Sequence, residues 1–261
     1  MHIAEQVSNT FDQGSRERVC ELSDDKIQIL VKSLTKQLED WKASLPAGDG
    51  GAYSEVSEMS MARLNRSYYS GRAYIHEVGL YGLLQGQIPS LTKISIIYEC
   101  FTAAMKFLSD ALELSLEEMT GWTNLDWRSL NFAVMLCTKS SIILDSSYPG
   151  NGRSERAEWL DKCLGTLCLR AKELHLMVGA PVGQDQYFRR LSTDWANLKL
   201  YYQNCMQRNL PQASATAANP ASTMQPGFQS LDGQLDMDVF NDMFWTSYGD
   251  TEGMLSNIFQ M

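Results

Sequence analysis

Between Ser23 and Pro46 the chain reads SDDKIQILVKSLTKQLEDWKASLP, and its apolar residues fall at Ile27, Leu30, Val31, Leu34, Leu38, Trp41 and Leu45. Steps of three and four residues match the turn of an α-helix, so these side chains share one face. Such a face has to be buried against other helices or against a sheet. The rest of the body decides between the two. The same spacing recurs over roughly 58–84, 90–114, 125–146, 154–177 and 186–207, and strand-type alternation is nowhere sustained. The chain is therefore read as all-α.

Local signals agree with that division. Ser23 can cap the first helix, with Asp24 and Asp25 at the positive end of its dipole. Pro46 and the following AGDGG end it. In the second helix Met61, Leu64, Tyr68, Ile75 and Val78 are expected inward. Gly71, Gly79 and Gly82 either weaken it, at about 1 kcal/mol each against alanine, or let a neighbouring helix approach closely. The third is capped by Ser90 and is expected to bury Ile94, Ile97, Tyr98, Phe101, Met105, Leu108 and Leu112. SSYPGNG and VGAPVGQ, rich in turn formers, separate the last three.

A composition of 44% hydrophobic and 20% charged residues suits a chain that buries a sizeable core. The net charge of −9 is uneven: after Arg208 come Asp232, Asp236, Asp238, Asp242, Asp250 and Glu252, and no Lys or Arg. Residues 1–208 are left close to neutral. Neither part offers the basic surface that neutralises a phosphate backbone, so direct binding of DNA or RNA by this chain is not expected. The first residues hold no hydrophobic signal core and no apolar run reaches membrane-span length, so a soluble protein that is not secreted and has no membrane partner is expected. Cys20, Cys100, Cys137, Cys163, Cys168 and Cys205 lack metal-ligand spacing and are read as small buried hydrophobes of a reducing compartment.

The chain divides into a flexible N-terminal segment (1–22), an all-α regulatory domain (23–208), a linker (209–227) and an acidic aromatic tail (228–261). The linker NLPQASATAANPASTMQPG carries no charge and almost no large apolar residue, so it cannot bury enough surface to offset chain entropy. The tail differs. In QLDMDVFNDMFWTSYGD, read as a helix, Leu235, Val239, Phe240, Met243 and Phe244 form one apolar face, with Asp236 and Asp238 toward its start and Asp242 at its flank. Repulsion and hydration of the aspartates keep the aromatics from collapsing until a partner groove buries them. That composition is typical of activation segments. Asp236, Asp238, Val239, Phe240, Asp242, Met243, Phe244 and Trp245 are the candidate partner-binding residues. The competing reading is that Phe240 to Tyr248 fold back onto the body as ordinary core.

Signs of catalysis are sparse. His2, His76 and His175 are isolated, and capped or partly exposed structural histidines account for them. There is no G-x-S-x-G elbow and no phosphate-cradling loop, and GLYGLLQG opens no strand-to-helix turn. Asp24-Asp25 and Glu117-Glu118 are the acidic pairs considered, and neither faces a matching cluster. No catalytic, cofactor or metal residue is assigned, and the chain is not expected to be an enzyme.

LTKQLEDWKASLP (34–46), LNRSYYSGRAYIHEVGL (64–80) and CFTAAMKFL (100–108), in that order, resemble the middle homology region of fungal zinc-cluster transcription factors. Trp41, Leu45 and Pro46 match a helix ending in W-x-x-x-L-P. Tyr68, Tyr69, Ile75 and His76 match a tyrosine-rich helix, with Glu77 where a basic residue is common, and Cys100, Ala103 and Ala104 match C-x-x-A-A. The resemblance covers about 25–207 and implies a nuclear transcription regulator whose tail recruits a coactivator or mediator-type protein. The family's six-cysteine, two-zinc module and its basic flank have no counterpart here, so zinc and DNA contact would belong to a segment absent from this chain. The family's region also extends further at its N-terminus, so residues 27–45 are expected to leave an apolar face under-covered and to favour aggregation or a homodimer. Two alternatives stand beside this reading: a helical scaffold or adaptor whose tail docks on its own body, and an all-α enzyme or small-molecule binder using an interhelical pocket.

Overall fold

A computed structural model describes residues 22–45, 54–81, 83, 89–147, 155–178 and 184–208. These form α1 (Asp24–Ala43), α2 (Ser54–His76), a 3-10 helix (Glu77–Leu80), α3 (Leu91–Glu113), α4 (Leu116–Thr120), α5 (Asn124–Ser147), α6 (Glu155–Val178) and α7 (Gln184–Arg208). The described residues contain no strand, and the fold is all-α.

Side-chain pairings fix the directions of the helices. Gly71 faces Leu38 while Lys42 lies 4.0 Å from the Tyr68 ring, so α1 and α2 are antiparallel. Gly79 meets Ile96 while Arg72 pairs with Glu99, so α2 and α3 are antiparallel. Gln203 reaches Asp161 and Lys199 faces Gly165, so α6 and α7 are antiparallel. Phe101 stacks edge-on to Trp159, and Arg170 reaches the carbonyls of Leu112 and Leu114, so α3 and α6 run parallel. Trp195 bonds Asn131 and Tyr202 bonds Ser141, so α5 and α7 also run parallel. The long helices thus alternate up and down in chain order. The N-termini of α3 and α6 share one end of the body with the C-terminus of α7.

α5 is the hub. Trp127, Leu130, Val134, Cys137, Ile142 and Leu144 are buried in the main core with Cys100, Phe107 and Leu108 of α3, Leu160, Leu164 and Leu167 of α6, and Leu191, Trp195 and Tyr202 of α7. Burying large side chains of this kind contributes about 1.5–3 kcal/mol each relative to exposure. A second, smaller cluster joins Ile27, Val31, Leu34 and Leu38 of α1 to Tyr68, Ile75, Val78 and Ile96. The apolar face expected to be under-covered is therefore covered within the chain: none of those four α1 side chains is more than 5% exposed.

Several expectations need correction. Ser23 occupies the N-cap of α1 but its hydroxyl makes no capping bond, whereas Ser90 does accept from the Lys93 amide at 3.2 Å. α2 stops at His76 and continues only as a 3-10 turn, in which Gly79 lies so close to Ile96 and Ile97 that a side chain would clash. Tyr98, expected inside, is 51% exposed, while Ile96 and Phe107 are buried instead. α4 was not anticipated. It is held by a capping box in which Ser115 and Glu118 satisfy each other's backbone N–H groups.

Candidate functional site

The tail residues singled out by sequence, Asp236, Asp238, Val239, Phe240, Asp242, Met243, Phe244 and Trp245, lie outside the described residues, as do His2, Cys20, Pro46 and Gly82. The motif residues of the body are described, and they converge. Lys42, one position beyond Trp41, sits 4.0 Å from the Tyr68 ring centre and 5.3 Å from that of Tyr69. Cys100 donates its S–H to the Ala73 carbonyl at 3.5 Å, and Ala103 and Ala104 are buried beside it. The three motifs thus meet at one junction of α1, α2 and α3.

Arg72 organises that junction. Its guanidinium donates to the Tyr68 hydroxyl at 3.0 Å and to Glu99 at 2.9 Å, with Glu39 at 3.8 Å. Its carbonyl accepts from His76 Nδ1 at 2.7 Å. His76 is 4% exposed, and burial holds its pKa below the usual imidazole range, against the favourable Arg72 carbonyl bond. A neutral ring that donates to the backbone one turn earlier is a helix-end anchor, not a poised acid or base. Arg72, Glu39 and Glu99 come from three helices. Only the tertiary fold brings them together, so no spacing in the sequence marks them.

The thiols are unreactive by the same physics. Cys100, Cys137, Cys163, Cys168 and Cys205 are all buried and free, as expected. Burial raises the Cys100 and Cys137 thiols strongly and pushes Cys163 up to about 12. Along α5 a polar chain links three helices. Tyr202 donates to Ser141 at 2.9 Å, Ser141 to Asp145 at 3.3 Å, and Arg156 to Asp145 at 2.6 Å. Each group satisfies another, which is what burial of polar atoms requires. Among the described residues no group of three His, Cys, Asp or Glu side chains could hold a metal ion, and no helix is long and apolar enough to cross a membrane.

What the body does offer is a surface. Leu91 is 78% exposed and Tyr98 51%, two helical turns apart on α3. Half-buried Ile94, Thr102, Met105, Ser109 and Leu112 and exposed Ser95 complete the same face, which carries no charge along its axis. It lies between α2, where Lys106 of α3 approaches the Tyr69 ring at 5.5 Å, and α6, where Phe101 meets Trp159 at 6.4 Å between ring centroids. The exposed leucines of α6 have a different setting. Leu169 and Leu176 are 60% and 77% exposed, but Lys162, Lys172 and Glu173 stand among them. Sequence periodicity had pointed the α3 face inward.

No family model, curated protein or solved structure matches this chain.

Proposed function

We propose that the chain is the regulatory and activation portion of a nuclear transcription regulator, a helical body carrying a C-terminal segment that recruits a coactivator or mediator-type protein. One observation carries the reading. After Arg208 the chain has six carboxylates and no Lys or Arg, with Val239, Phe240, Met243, Phe244 and Trp245 set among three of the aspartates. Phe240, Met243, Phe244 and Trp245 act as anchors, and Asp236, Asp238 and Asp242 keep them in water and steer them to a basic-rimmed groove. The body's motifs support the reading from the other side, since the residues that resemble the fungal middle homology region meet at one junction. The work proposed is recruitment, not catalysis. Zinc and DNA contact belong to a module with cysteine spacing that this chain does not contain.

The test is residues 228–261 fused to an unrelated DNA-binding module upstream of a reporter. The fusion activates, and replacing Phe240, Met243, Phe244 and Trp245 with alanine abolishes the output. Unchanged output from the alanine variant removes the assignment.

A further inference from the structure

The uncharged face of α3 has an occupant within the chain. We propose that the tail, through residues 235–244, docks along Leu91, Ile94, Tyr98 and Met105 as an amphipathic helix and so withholds its anchors from a partner. This rests on the reading of the tail as a recruiting segment and adds how that segment is kept silent.

Two observations point to it. The first is the face itself. Leu91 to Leu112 spans about 32 Å of helix with Leu, Ile, Ser, Tyr, Thr and Met but no charge on its axis. Single exposed apolar residues are ordinary, whereas exposed Leu91 and Tyr98 continue into half-buried Ile94 and Met105 on one uncharged stripe flanked by two helices, a seat that an amphipathic helix can use. Ten tail residues make about 15 Å of helix, which fits within it.

The second is where the tail begins. Gln203 of α7 bonds Asp161, two residues beyond the Trp159 that packs on Phe101, and Phe101 lies one turn from Tyr98. The chain after Arg208 therefore departs from the end of the body where the α3 face starts. A 26-residue linker (209–234) behaving as a random coil would span about 28 Å. A tether of that reach gives an effective concentration on the order of 1 mM, so a contact as weak as about 100 μM between separate molecules is about ten to one closed within one chain.

Hydrogen exchange of the full chain, read at the amides of 235–245, tests the docking without any transcriptional readout. Those amides are expected to exchange about tenfold more slowly than in the isolated 228–261 peptide. Leu91→Glu/Tyr98→Glu removes the protection. Both positions are exposed, and a glutamate in the first turn of α3 is favourable to the helix. Leu169→Glu/Leu176→Glu on α6 leaves the protection intact. Phe240→Ala/Phe244→Ala, which leaves the body untouched, also removes it, so the result does not depend on the α3 variant folding. Peptide-like exchange in the wild-type chain overturns the proposal, as does protection that survives the α3 change. Protection that grows with protein concentration assigns the groove to a second copy and overturns it equally. Failure here leaves the reporter result on the isolated tail standing, and failure of the reporter leaves docking intact.

Discussion

Gly71 and Gly79 sit two turns apart, and alanine is predicted to act on them in opposite directions. At Gly79 an added Cβ would lie 2.8 Å from Ile96 Cγ2 and 3.2 Å from Ile97 Cγ1. Neither neighbour can yield. Ile96 and Ile97 are 5% and 0% exposed, and β-branched side chains in a helix are confined to one χ1 rotamer. Overpacking of this kind costs about 1–3 kcal/mol, against which alanine recovers about 0.5–1 kcal/mol of glycine's chain entropy. Gly79→Ala should therefore destabilise the body by about 1–2 kcal/mol, lowering Tm by about 2–8 °C for a domain of this size. At Gly71 the nearest atom is Leu38 Cδ1 at 3.4 Å, an ordinary contact. Gly71→Ala should stabilise by about 0.5–1 kcal/mol. Urea and thermal melts of the two variants decide it. Ile96→Ala removes the closest atom, so its cost in the Gly79→Ala background should be smaller than in the wild type by about 1 kcal/mol. If Gly79→Ala melts at or above the wild type, the close approach of the 3-10 turn to α3 is not as described.

Further outcomes follow from the same packing. Arg170→Met leaves the Leu112 and Leu114 carbonyls at the end of α3 without their guanidinium donor, and should cost about 1–3 kcal/mol in a urea melt. Tyr202→Phe keeps the ring and removes the hydroxyl that donates to Ser141, costing about 1 kcal/mol. His76 has its pKa lowered by burial, so the unfolded chain binds its proton more readily than the folded one. Its contribution is full above the unfolded imidazole pKa and is lost as pH falls from there toward the folded value. His76→Asn, whose amide can replace the Nδ1–H donor, should flatten stability below pH about 6.5. The five described cysteines should react with a thiol reagent at pH about 8 only as fast as the body unfolds, since each is buried and burial raises the Cys100, Cys137, Cys163 and Cys168 thiols.

The sequence disclosed those parts of the body whose pattern depended on one face alone. The α1 stripe was legible because a single side of that helix is buried, so Ile27, Val31, Leu34 and Leu38 announce their direction by spacing. α3 was legible as a helix but not in its orientation. It packs against both α2 and α5, so apolar residues surround most of it, and periodicity alone set Tyr98 inside and left out Ile96 and Phe107. The correction matters because Tyr98, set inside by periodicity, stands instead on the exposed, uncharged face of α3. The end of α2 was misjudged for a related reason. The 3-10 turn sets Gly79 against residues 17 and 18 positions later in the chain, a tertiary contact that no local signal encodes. The Arg72 cluster is a purely tertiary assembly. Conversely, the tail is legible only as sequence, through composition and charge, and its residues lie outside the described structure.

The most direct measurement of the central claim is a reporter driven by residues 1–261 tethered to an unrelated DNA-binding module, compared with residues 1–227 tethered in the same way. The account predicts activation by the longer chain, an increase on Leu91→Glu/Tyr98→Glu, and loss of output on truncation. Equal output from residues 1–227 would place any activating surface in the helical body and contradict the assignment of that role to the tail.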